Sequence, residues 1–377
     1  MIQHSRGGFL SGFPPWTIAA PVFGGVVLLG AGFEFGGYYV IPIALGLAAS
    51  VFAAVHHAEV VAHRVGEPYG TLVLALAVTL IEVALIVSLM IAGGTGAAAL
   101  ARDTVFAAVM IILNGIIGLC LLVGGIRHRQ QEFSLDGVSA ALVALATIAV
   151  MTLVFPNFTV TAPGPFYSPG QLVLVAIVSL LVYGAFVFTQ TVGHRDFFLE
   201  DGFLEDGLPE DGSREGGEPH ASGMPSNAVT AASSVLLLLC LIVVVLLAKK
   251  LSPDLEAAVA RTGVPDAIVG VVIAGIVLLP EGLAALRAAQ QNRLQTSLNL
   301  ALGSALASIG LTIPAVSVLS LSMHSKLMLG IDARSMVLLI LSLFVAALAL
   351  RTGRTIILHG VVLLVVFAVY LFTTVVP

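Results

Sequence analysis

The sequence predicts an all-α polytopic membrane protein of eleven transmembrane helices, one leading helix followed by two inverted five-helix repeats. Three observations predict it. The 377 residues are 58% hydrophobic and 10% charged, with mean hydropathy +1.08, whereas a soluble domain carries about 25% charged residues. Eleven apolar runs approach the roughly 20 residues that a spanning helix needs. They lie near 15–32, 37–55, 70–92, 103–124, 137–155, 170–190, 228–248, 266–288, 294–320, 335–350 and 355–376. Between the sixth and seventh lies a polar break, so that after the leading run five runs fall on each side of it.

The elements follow in order. The runs are rich in Leu, Ala and Gly and lack period-two alternation, so they read as helices rather than barrel strands. Residues 1–36 hold a short N-terminus and the leading helix, which reads as retained because no small-residue cleavage site follows it. Residues 37–192 form the first five-helix repeat and 228–377 the second. Between them, 193–227 contains FLEDGFLEDGLPEDGSREGGEPH. Glu200, Asp201, Glu205, Asp206, Glu210 and Asp211 belong to three EDG triplets spaced by five residues. Gly and Pro at that density argue against a packed core. The segment reads as a solvated linker, with cation collection or regulation as its functional alternative.

Because five is odd, two related halves would enter the membrane in opposite directions. Inverted repeats of this kind place ion sites at their interface near the midplane. Lys and Arg divide ten against six between the two sides, which puts the N-terminus and the acidic loop in the cytoplasm. The expected location is the bacterial inner membrane. Membrane lipid is an expected partner and nucleic acid is not. A homo-oligomer stays open, since lipid-facing and subunit-facing apolar surfaces look alike. Cys120 and Cys240 both fall in apolar runs and read as packing residues.

Two glutamates carry the chemistry. Glu82 lies in YGTLVLALAVTLIEVALIVSLMIAGG and Glu281 in AIVGVVIAGIVLLPEGLAAL. An acid at membrane depth costs roughly 2.5–3.5 kcal/mol on insertion scales. Such a residue is retained where it faces a partner, a cavity or a travelling ion. Each occupies the second span of its half, and Gly70 and Gly270 precede them by twelve and eleven residues. They are therefore candidates for one ion- and proton-binding pair, and for the metal ligands of a transported cation.

Polar neighbours supply further oxygen. Pro280 removes a backbone donor beside Glu281, and freed carbonyls suit a hard cation wanting six to eight oxygens. Asn299, Ser304, Ser308 and Thr312 follow in the next span, the last three spaced by four on one face. In the first half Thr79 sits about one turn before Glu82, and Asn114 lies in the next span. His56, Glu59 and His63, with Glu67 before Pro68, form a polar helix end suited to proton or cation access. This segment lacks the H-E-x-x-H spacing of a zinc protease.

Taken together, AEVVAHRVGEPYG, TLIEVALIVSLM, the acidic midpoint, the run from Pro280 to Pro314 and GRTIILHGVVLLVVFAVYL resemble the cation/proton exchangers of the calcium/cation antiporter superfamily. The resemblance is strongest to the bacterial ChaA-type sodium-potassium/proton and calcium/proton antiporters, and it covers nearly the whole chain. It implies that Glu82 and Glu281 are the two proton-exchanging acids, with polar neighbours near Asn114 and around Gly303 and Ser304. Glu59 would match an acidic position before the first repeat motif. Where the wider family has Gly-Asn before the first acid, this chain has Val78 and Thr79.

The expected function is secondary active antiport, exporting Ca²⁺ and/or Na⁺ and K⁺ in exchange for protons, with no cofactor. A passive cation channel using the same oxygen-lined site is the alternative. No nucleophile–base pair or nucleotide-binding loop points to an enzyme.

Overall fold

The computed structural model describes residues 13–30, 37–66, 69–92, 97–198, 225–262, 265 and 267–376. Glu67 and the acidic residues Glu200, Asp201, Glu205, Asp206, Glu210 and Asp211 lie outside the described residues. The described chain is helical almost throughout, as the apolar runs require when no water is present to take up backbone groups.

Helix α1 (Pro15–Gly30) leads. The first half comprises α2 (Val40–Val65), α3 (Tyr69–Ala92), α4 (Ala97–Met110), α5 (Ile117–His128), α6 (Leu135–Ala149) and α7 (Pro169–Phe188). α4 and α5 form a single rod, joined by a π-helical segment at Ile111–Ile116. The second half comprises α8 (Asn227–Thr262), α9 (Ala267–Gln290), α10 (Leu294–Ser322), α11 (Ala333–Ala349) and α12 (Ile357–Val375). Eight described helices are long and apolar enough to cross a membrane, while Pro15–Gly30, Ala333–Ala349 and the stretch Ala75–Ser88 are shorter.

Local sequence explains the ends. Ser168 caps α7 by accepting from the Gln171 amide, Gln171 returns the bond, and Pro169 sits in the first turn. The Asp332 carboxylate accepts from the Ser335 amide at the start of α11. α8 runs well past the apolar stretch expected at 228–248, and its extension carries Lys249 and Lys250. Pro314 lies inside α10 without ending it.

The two halves pack as inverted copies. α3 lies on α10 as α9 lies on α4, and α7 lies on α10 as α12 lies on α5. α2 crosses its counterpart α8. Even the loops obey the relation. On one face β1 (Gln131–Glu132) pairs antiparallel with β2 (Arg354–Thr355). On the opposite face, between the corresponding loops of the exchanged halves, Phe166 bridges Met328. Gly118 and Gly310 each bring their helix close to the last helix of the opposite half. A Cβ on Gly118 would lie 3.1 Å from the Leu363 side chain of α12, and one on Gly310 would lie 2.8 Å from that of Tyr183 on α7.

Two large clusters make up most of the apolar interior among the described residues. One core joins α1, α2 and α8 with one face of α3 (Val78, Ile81, Leu85) and of α9 (Val269, Ile273, Val277). The other is built by α4–α7 and α10–α12 with Ile86, Ala274 and Leu278. α3 and α9 thus lie along the seam between them.

Candidate ion-binding site

Glu82 and Glu281 both lie on the seam helices and are nearly enclosed, at 3% and 6% exposure. An acid this far from water requires a partner. α10 supplies one to each. The Ser308 hydroxyl donates to Glu82 Oε1 at 2.6 Å, and the Ser304 hydroxyl donates to Glu281 Oε2 at 3.0 Å. Four residues apart, the two serines occupy one face of α10. That helix therefore bridges an acid from each half of the chain. Ser304 and Ser308 lie one turn apart on α10, so the two carboxylates they bind are held beside one another.

The sequence expected Ser304, Ser308, Thr79 and Thr312 around the acids. Ser304 and Ser308 touch them directly. Thr79 is buried one turn before Glu82, and its hydroxyl donates to the Ala75 carbonyl at 2.9 Å. Thr312 continues the serine face by one more turn; its hydroxyl is buried with no hydrogen-bond partner among the described residues.

The structure does not bring Asn114 or Asn299 to the carboxylates. The Asn114 amide donates to the Ser342 hydroxyl of α11 at 2.8 Å, and its carbonyl oxygen is buried without a partner. Asn299 donates to the Phe198 carbonyl at 2.6 Å and accepts from Gln295 at 2.9 Å. Asn299 precedes Ser308 by nine residues, about half a turn around an α-helix, so it faces α6 and the end of the first half. Spacing by four groups hydroxyls on one face, but nothing in the sequence says which face an isolated Asn will take.

The proposed access residues end α2. His56 is half-buried, with its ring 5.5 Å from that of Trp16. Glu59 and His63 are exposed. No hydrogen bond or ion pair among the described residues ties these three to Glu82 or Glu281. The sequence reading missed two partners. Ser342 lies in an apolar run that gave no signal. His57 is fully buried, its Nε2 3.4 Å from the Thr17 carbonyl, and joins α2 to the leading helix.

Removing either serine hydroxyl tests the bridge. A hydrogen bond to a charged group is worth about 1.5–3 kcal/mol, which corresponds to roughly tenfold or more in affinity. Ser308→Ala and Ser304→Ala are each expected to raise the half-saturating cation concentration by about tenfold, measured as cation-dependent stabilisation of the purified protein. Unchanged midpoints in both would show that the hydroxyls do not contribute to cation binding.

The profile of the sodium/calcium exchanger protein family matches residues 36–192 and 232–376, which together make up most of the chain. A protein of Sinorhizobium fredii, y4hA, whose name assigns it ionic transport, is 47% identical over 368 residues, 97% of each chain. The sodium-potassium/proton antiporter ChaA of Escherichia coli is 37% identical over 365 residues, 95% of each. Among solved structures, native YfkE superposes with a TM-score of 0.69 at 16% identity, covering 96% of this chain and all of that one. The H⁺/Ca²⁺ exchanger CAX gives 0.67 at 14% identity, covering 94% and 87%. The helical architecture is thus a shared fold, and the chain belongs to the sodium/calcium exchanger family of membrane transporters.

Proposed function

We propose that this protein is a secondary active antiporter of the bacterial inner membrane that exports Ca²⁺, Na⁺ or K⁺ in exchange for protons. One observation carries the reading: two buried carboxylates, one from each inverted half, are bridged by adjacent serines of α10 at the seam between two apolar cores. Its orientation places the N-terminus and the acidic linker in the cytoplasm, with 37–192 and 228–377 as the two repeats.

The chemistry is competitive. A carboxylate pair that feels mutual repulsion is relieved either by protons or by a cation between the oxygens. Each serine hydroxyl suits both forms, because it donates to a carboxylate and can turn a lone pair toward a metal ion. Loss of a cation from one side leaves the acids to take protons, and arrival of a cation on the other side drives those protons off. The two titrations are coupled and belong to the pair. Alternation follows if the α1–α2–α8 core shifts against the other at the seam, since packed interfaces switch between discrete arrangements.

The test is proton movement in inverted, acid-loaded vesicles containing the protein. Addition of Ca²⁺, Na⁺ or K⁺ is expected to raise lumenal pH. Cation uptake with no proton movement would favour the channel instead, and no response to any cation despite confirmed insertion would refute both.

A further inference from the structure

The two halves are alike in backbone and unlike in what they offer the ion. Gly118 and Gly310 are each pressed against the last helix of the opposite half. Ser308 stands two residues before Gly310, and Ile116 stands two before Gly118. Ile116 thus stands to Gly118 in the first half as Ser308 stands to Gly310 in the second. The contacts agree. Ser308 reaches Glu82 across the seam, while the Ile116 side chain lies 3.2 Å from the point where a Cβ on Gly282 would stand, next to Glu281. Ile116 also packs against the small cluster formed by Cys120 with Ala285 and Ala289 of that helix. The Asn114 amide on that rod donates to Ser342 of α11. The pair of acids therefore meets serine hydroxyls on the α10 side and, beside Glu281, the hydrocarbon of Ile116 on the α4–α5 side.

We propose that Ile116 is a specificity-determining residue that tilts this site toward monovalent Na⁺ and K⁺ over Ca²⁺. The proposal rests on the antiport reading given above and names its substrate class. Attraction between an ion and a ligand dipole grows with the ion's charge, so a missing oxygen handicaps a divalent cation more than a monovalent one. Ca²⁺ wants six to eight oxygens, and giving up water without replacement is costly. A hydrocarbon wall withholds replacement on one side.

An isosteric pair isolates the effect. Ile116→Thr and Ile116→Val differ by one hydroxyl on the same branched frame. Initial rates of lumenal alkalinisation are measured against Ca²⁺ and against Na⁺ in vesicles bearing wild type or either variant. The Thr chain is expected to lower the ratio of half-saturating Ca²⁺ to half-saturating Na⁺ at least about fivefold, with Val leaving it near wild type. If the Thr chain does not turn over, the same ratio is read from Ca²⁺- and Na⁺-dependent thermal stabilisation of the purified protein. If it does not accumulate, Ile116→Ser, which copies Ser308, takes its place. Equal shifts in the hydroxyl and Val variants would assign the effect to packing and overturn the proposal, as would no shift in either. Wild type lacking any cation-driven proton movement would instead overturn the antiport reading on which it rests.

Discussion

Glu82→Gln and Glu281→Gln are each expected to reduce cation-driven proton movement at least about a hundredfold. A unit charge 4 Å from a cation contributes about 4 kcal/mol at the effective dielectric near a protein surface, and that alone is roughly a thousandfold in affinity. The amide also has no proton to exchange. Gln keeps the shape and an oxygen that can accept from Ser308 or Ser304, so the bridge to α10 survives. Thermal stability should therefore hold, because replacing a buried charge with a neutral isostere is often neutral or stabilising. The check is lumenal pH in the vesicle assay, with folded protein confirmed by its melting transition. Full exchange in both variants would remove the acids from the mechanism.

The second large effect concerns the frame. Gly360 near the start of α12 lies so close to α5 that an added Cβ would meet the Leu122 amide nitrogen and the Gly118 carbonyl. Both are helix backbone and cannot step aside as a flexible side chain would. Gly360→Val is expected to cost about 3 kcal/mol or more, seen as a melting temperature several degrees lower or as loss of folded protein. Gly25→Ala in α1 is the control: its added Cβ would meet nothing within 4 Å, and Ala is the better helix former. A Gly360→Val protein as stable as wild type would mean that α12 and α5 are not held at this spacing.

Much of the architecture was legible before any coordinates. Apolar length placed the spans, and the odd number in each half, five once the leading helix is set aside, implied inversion. Glu82 and Glu281 stood out because an acid in a long apolar run has few bland explanations. The hydroxyls of Ser304 and Ser308 were legible too, because helical periodicity put them on one face. Asn114 and Asn299 show where that reasoning stops. An amide within an apolar helix signals a polar contact, but its partner is fixed by which neighbour packs against that face. For Asn114 that neighbour is α11, and for Asn299 it is the turn ending at Phe198.

The sequence by itself determined a helical membrane protein in two inverted halves and singled out the two acids buried at its centre. Both follow from local quantities, the length of an apolar run and the cost of burying a charge. Only the tertiary structure decided that α10 serves both acids, that they sit where two apolar cores meet, and that Ile116 packs at Gly282 beside Glu281. Those are matters of helix crossing and rotation. They arise when residues more than two hundred positions apart, such as Glu82 and Ser308, are brought within a hydrogen bond's reach.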